Sequence, residues 1–216
     1  MADLTLADEV VVLMLDDVDG DLDPGRIRVA SVAIAGGIVM ELALRGHIDT
    51  DVTSLFVVDP KPTGDQLLDE FLQEITGEPE QHSSAWWIDR LSARHGELVE
   101  QIRARLVAAG ILREEERRFL WMFSSRAYPQ VSDREEREAK ARLLSILFTD
   151  AVPGPRDALL LSLANSTGIL ADMLSGEDLE KVAARIDAIV ALEEIGRAVS
   201  LVASQVSDAM TMMVVS

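Results

Sequence analysis

Cysteine is absent from the 216 residues, which removes disulfides, thiol nucleophiles and thiolate metal ligands together. That absence suits a reducing cytoplasm, the expected location. Histidine is nearly absent: His47, His82 and His95 show no i,i+4 pairing and no HExxH context, so no histidine-based metal site is expected. Long apolar runs are missing too. The longest mostly apolar stretch, "VASVAIAGGIVM", covers residues 29–40, short of the about 20 residues a membrane-crossing helix needs. The opening "MADLTLADEV" is acidic where a secretory signal is basic. The expectation is a soluble or peripheral protein. Positive charge is scarce: 20 basic side chains face 38 acidic ones, a net charge of −18. That balance argues against general nucleic-acid or anionic-membrane binding.

The deficit is uneven. Residues 1–89 hold 4 basic and 19 acidic side chains, residues 90–142 hold 12 and 9, and residues 143–216 hold 4 and 10. An anionic partner meets least repulsion in the middle of the chain, although a mixed, solvated helix surface also accounts for the pattern.

Apolar residues are abundant, at 48 %, enough for one well-buried domain over 1–216. The spacing predicts a mainly α fold. Thr5 with Asp8 approximates a capping box before a buried helix running to Leu15. "DVDGDLDPG" reads as a loop. A helix is expected over 29–45, with Ala33, Ala35, Gly36 and Gly37 allowing a close helix neighbour and Gly46 as its stop. "HIDTDVTSLFVVD" has strand composition. Two helices broken near Gly96 follow, with Ser84 as a cap and Gly110 as the end of the second. Trp86 and Trp87 read as packing groups. Residues 119–123, "FLWMF", are apolar and bracketed by charge, the pattern of a short hairpin with a hydrophobic tip. A charged helix starts after Asp133. A helix apolar nearly all round starts at Asp157, so it is expected to be central. One or two amphipathic helices are expected over 176–215.

The stretch "KPTGDQLLDEFL", residues 61–72, raises three possibilities: a phosphate cradle, a metal site or a helix start. It lacks the lysine and glycine spacing of a phosphate loop, and its own aspartate repels phosphate. Thr63 and Gln66 fit the capping-box spacing, and Leu67, Leu68, Phe71, Leu72 and Ile75 share one helical face. Helix start is the favoured reading.

Catalytic patterns are not found. No G-x-S-x-G elbow and no G-x-G-x-x-G turn after a strand occur. Aligning Gly20 with the sixth position of a calcium loop puts Leu15 first and Arg26 twelfth, so both end ligands are missing. Glu41, in an apolar helix, is read either as a buried functional carboxylate or, preferably, as the i,i+4 partner of Arg45. No enzyme activity, cofactor or metal is expected.

Three motifs in order, "LTLADEVVVLMLDD" (4–17), "MELALRGHI" (40–48) and "PTGDQLLDE" (62–70), are followed by "LVAAGIL" (106–112), "FLWMF" and "YP". Over 4–174 the chain resembles the Golgi phosphoprotein 3 family, and its composition looks like that of a bacterial member. The resemblance implies a single helical domain in which amphipathic helices ring a central hydrophobic helix, with a projecting β-hairpin. It also implies a non-catalytic peripheral membrane adaptor that binds phosphatidylinositol 4-phosphate. The hairpin residues Phe119, Leu120, Trp121, Met122 and Phe123 would then contact a membrane or a second copy.

The family's headgroup pocket uses one tryptophan and three arginines. Ungapped matching places Arg26, Ala35, Gly96 and Val99 at those positions. All four specific groups are thus absent, and the candidate headgroup cations of a remodelled pocket are Arg26 and Arg28, with Arg103 and Arg105 as further sources of charge, because guanidinium groups donate two parallel hydrogen bonds to phosphate. The implied partners are an anionic lipid surface, a second copy or a client protein, and not nucleic acid. The alternative is a soluble protein–protein interaction module that keeps the fold without phosphoinositide binding.

Overall fold

The computed structural model describes residues 4–15, 22–51, 53–119 and 123–190. Among these, the elements in chain order are α1 (Leu6–Met14), a 3-10 turn (Pro24–Arg26), α2 (Ile27–Leu44), β1 (Ile48–Thr50), β2 (Leu55–Val57), α3 (Gln66–Gly77), α4 (Ser84–Ser92) and α5 (His95–Ala108). They continue with β3 (Glu115–Phe119), β4 (Phe123–Ala127), α6 (Arg134–Phe148), α7 (Pro155–Ser166), α8 (Ile169–Met173) and α9 (Gly176–Val190). The mainly α expectation holds. The loop residues 16–21 and the tail 191–216, for which the sequence suggested a turn and a further helix, lie outside the described residues.

α2 is the hub, packed by α1, α3, α4, α5 and α7. Its residues from Ala30 to Leu42 are all buried, because the stretch is apolar on every side. With its preceding turn it is long and apolar enough to cross a membrane, yet here those faces are spent on neighbouring helices. α7 is the second central helix, buried from Ala158 to Ala164. The expected single central helix thus becomes a pair, and α7 stops sooner than its apolar pattern suggests. Gly168 sits at φ +77° and divides it from α8, a left-handed step that glycine takes without steric cost.

α1 lies against α2 at very short range. A Cβ on Gly37 would stand 2.7 Å from the backbone nitrogen of Ala7, so only glycine fits there. The predicted capping box is present: Asp8 donates its N–H to Thr5 Oγ1 at 3.2 Å, while Asp8 Oδ2 accepts from Thr5 N at 2.9 Å. Every residue of α1 is buried.

Three boundaries differ from the sequence reading. α3 is capped by Asp65, whose Oδ1 accepts from Leu67 N and Leu68 N at 3.0 and 3.2 Å. Thr63 instead bonds the Asp69 carboxylate, 2.7 Å from its hydroxyl. α4 is capped by Ser83 rather than Ser84. The break before α5 falls at Ala93–Arg94, leaving Gly96 inside the helix. The strand-like stretch forms an antiparallel pair, with Asp49 opposite Phe56. β2 is held on its other side by His82, whose carbonyl accepts from Leu55 N at 2.8 Å. The predicted second hairpin exists, with Glu115 opposite Ala127 and Phe119 opposite Phe123.

Candidate functional site

The sequence motifs supply charged residues, and most of them are consumed by the fold. Around α1 the carboxylates of Asp8, Glu9 and Glu41 meet arginines from three other helices. Arg105 of α5 bridges two helix starts: its Nε and Nη2 lie 3.1 and 3.0 Å from Asp8, and its Nη1 and Nη2 lie 2.8 and 2.7 Å from Asp65. Burial opposes the charged form of Asp65, yet the Arg105 guanidinium and the Leu68 N–H outweigh it and lower its pKa. The same two aspartates hold the Arg105 guanidinium firmly protonated against its burial.

Glu41, 2 % exposed, accepts from Leu6 N at 2.9 Å, Arg45 Nε at 2.9 Å and Arg156 Nη1 at 3.0 Å. The expected pairing with Arg45 is present, and Arg156 of α7 joins it. Glu9 meets Arg142, and at 3.4 Å Arg156, while Arg142 also reaches Asp157 at 3.1 Å. Arg142 and Arg156 were not foreseen. Two carboxylates inside apolar helices signal that cations must arrive from elsewhere, but sequence spacing cannot say which.

A groove of about 330 Å³ runs beside Arg105, between the start of α3 and the end of α5, lined by Gln66, Leu67, Glu70, Gln101, Ala104, Arg105 and Ala108. Its arginine is already shared by two aspartates, and Glu70 adds another negative charge, so the groove does not cradle a phosphate. Arg103 pairs with Glu100 at 2.8 Å and stacks on Tyr128, 5.0 Å away. Neither Arg103 nor Arg105 is left for a headgroup. Trp86 and Trp87 are packing groups, as expected. Trp87 is buried, and Trp86 stacks on His82 with ring centroids 3.6 Å apart.

The start of α2 is different. Arg26 occupies the N-cap position without offering a cap bond. Its guanidinium pairs with Asp172 of α8, and its Nη2 donates to the Thr167 carbonyl at 3.0 Å. Arg28, the second residue of the helix, has neither a hydrogen bond nor an ion pair among the described residues, and its Nε is enclosed. Among the described lysine and arginine side chains, Arg28 alone stands so. Both cations sit at the positive end of an 18-residue helix, where the helix dipole disfavours positive charge by about 0.3–1 kcal/mol and favours an anion. Burying the Arg28 Nε without a partner adds a further cost. The sequence-nominated pair is therefore half committed and half open.

Of the hairpin residues, Leu120, Trp121 and Met122 lie outside the described residues. Of Phe119 and Phe123, the backbone pairing alone is described. Below them the hairpin is rooted firmly: Arg113 N donates to Pro129 O at 3.0 Å, Val131 N to Ile111 O at 2.8 Å, and Tyr128 is buried. Among the described residues, no group of three or more acidic or histidine side chains is placed to hold a metal ion.

Comparison with known proteins adds two findings. The family model described as Golgi phosphoprotein 3 (GPP34) matches residues 6–213. Among curated proteins, the chain is 30 % identical over 213 residues to vacuolar protein sorting-associated protein 74 of Eremothecium gossypii, covering 82 % of this chain and 63 % of that one. It is 33 % identical over 170 residues to the protein of the same name from Schizosaccharomyces pombe, covering 69 % and 50 %. The chain thus spans between half and two thirds of the length of these relatives.

Proposed function

With the chain belonging to the Golgi phosphoprotein 3 family, we propose that it is a non-catalytic peripheral membrane adaptor whose anion contact is built on Arg28, with Arg26 beside it. The observation that carries this reading is the unpartnered Arg28. Every other arginine or lysine side chain described has a partner inside the protein, so among the described cations Arg28 is the one left for an external phosphate. The ligand class is the phosphate of an anionic lipid headgroup, phosphatidylinositol 4-phosphate being the test case. The β3–β4 hairpin supplies the apolar half of the contact through the run Phe119, Leu120, Trp121, Met122 and Phe123. Such pairing of a cation with an apolar anchor is what stable peripheral attachment requires, since one weak signal alone binds marginally.

The test is liposome co-sedimentation with neutral vesicles, vesicles containing phosphatidylserine and vesicles containing phosphatidylinositol 4-phosphate, at low and physiological salt. Wild type should pellet with the phosphoinositide. Arg28→Met should lower that binding, and Trp121→Ala should lower binding to every vesicle. Pelleting that is the same with all anionic vesicles would remove the headgroup claim and leave non-specific attachment.

The commitment of Arg26, Arg103 and Arg105 to internal partners favours one further reading. In it the chain is a protein–protein interaction module of the same fold without lipid binding. No pelleting with any vesicle would place that reading first.

A further inference from the structure

We infer that the outer face of α6, from Ala141 to Phe148, is the docking surface for the chain's own residues 198–213. This surface is separate from the anion contact and independent of it. α6 buries Ala139, Leu143, Ile146 and Leu147 toward the core. Its other side turns Ala141, Leu144 and Phe148 to solvent at steps of 3 and 4 residues, so they lie on one line. Leu144 is 37 % and Phe148 50 % exposed, and Val152, just past the helix, is 92 % exposed. The first half of that face is different: Arg134 pairs with Glu138 and Arg137 with Asp133, so charge solvates it. The apolar half adjoins α9. The Arg185 guanidinium of α9 donates to the carbonyls of Ile146 and Ala151, which fixes the later part of α9 beside the end of α6. Val190, the last residue of α9, follows five residues on, about 7.5 Å along a helix. Residues 191–216 thus set out from within a short reach of Phe148.

That segment carries an apolar stripe in need of cover. After Gly196, the residues Val199, Val202, Val206, Met210 and Met213 follow at steps of 3, 4, 4 and 3, the pattern of one side of a helix. Ser200, Ser204, Asp208 and Thr211 fall on the opposite side. Over 198–216 Asp208 is the one charged side chain. A helix so poor in charge draws its stability from packing its apolar face. As a helix, 198–213 would measure about 24 Å, against about 22 Å for the 15 residues of α6. A reversal at Gly196, where glycine gives the backbone its freedom, lays the two side by side. The family match continues to residue 213, so these residues belong to the domain. The other exposed apolar side chains, Leu44, Phe56 and Val58, sit on α2, on β2 and just after β2, whereas α9 packs on α6, α7 and α8.

The absence of cysteine makes a disulfide test clean. In the full chain, Phe148→Cys is combined with Val199→Cys, and Leu144→Cys with Val202→Cys. The control combines Leu144→Cys with Ser204→Cys, on the side facing away. After circular dichroism confirms the fold, each is oxidised at low protein concentration and followed on non-reducing gels. The first two pairs should close within one chain roughly tenfold faster than the control, since docking holds the sulfurs at high effective concentration. Tryptic cleavage after Arg197, the single basic residue of 191–216, gives a second readout. It should be roughly tenfold faster in Phe148→Glu than in Phe56→Glu, which adds the same charge on β2. Equal closure with Ser204→Cys, or no closure in a folded protein, would overturn the docking, as would equal cleavage in the two Glu variants. Closure between chains would overturn it as well and give the face of α6 to a second copy.

Discussion

The two ends of α2 carry charge in opposite ways. At its end, Glu41 is 2 % exposed and receives hydrogen bonds from Leu6, Arg45 and Arg156. At its start, Arg28 receives nothing and Arg26 holds a carboxylate that is 57 % exposed. A buried charge with every valence met belongs to the architecture, since removing a partner strands the rest. A charge left unmet costs stability without return inside the protein, and such departures from internal consistency concentrate where a ligand is expected. The contrast separates clamp from contact on one helix.

The sharpest way to break the comparison is at the clamp. Glu41→Ala leaves two guanidinium groups and a backbone N–H facing an empty buried space. We expect a loss of about 3–5 kcal/mol, read as a lowered midpoint in urea with little change in slope. A loss under about 1 kcal/mol would show that the cluster is dispensable and that the distinction drawn here fails. Gly37→Ala tests the same seam without charge. Its methyl group meets the backbone of Ala7, which cannot move as a side chain can, and overpacking of this kind costs about 1–3 kcal/mol.

Asp65 gives the next effect and a pH signature. Its folded pKa is lowered by Arg105 and the α3 N–H groups despite its burial. A lowered carboxylate contributes stability above its unfolded value of about 3.9, and that contribution is lost as pH falls through the folded value. Asp65→Asn keeps a good cap residue but removes the charge. The variant should be less stable at neutral pH by roughly 1–3 kcal/mol, with the difference from wild type shrinking as pH falls below about 4. Parallel acid denaturation curves for the two proteins would refute the bridge as a stabilising element.

Much of the clamp's chemistry was readable in the chain, and its geometry was not. Thr5 with Asp8, and Glu41 with Arg45, are local pairs at spacings of 3 and 4 residues, so helix periodicity alone brings them together. Gly37 announced a close neighbour without naming Ala7. The spacing of Thr63 to Gln66 points to Thr63 as the cap of α3, whereas Asp65 caps the helix. The reason is that Thr63 has a stronger local alternative in Asp69, and a capping box counts spacing without knowing where the chain bends. The arginines that complete the clamp come from 97 residues away or more, beyond any local rule. The contact was legible only by resemblance: Arg26 falls at a pocket position that the family fills with tryptophan, Arg28 is nominated as nearby charge, and only the fold distinguishes the one that Asp172 holds from the one without a described partner.

Arg28→Met has the smallest expected effect on stability and the most informative one. At the clamp, losing a charged group should unfold the protein and any function with it. At the contact, the two should part. Met keeps an unbranched aliphatic side chain while deleting the enclosed Nε–H and a cation at the positive end of the dipole. Stability should stay level or rise by up to about 1 kcal/mol. Binding to vesicles containing phosphatidylinositol 4-phosphate should fall in the same variant. Opposite movements of stability and binding are the mark of a residue kept for a partner at the expense of the fold. Should Arg28→Met instead lower stability by more than about 1 kcal/mol, its side chain serves packing, and the start of α2 joins its end as architecture.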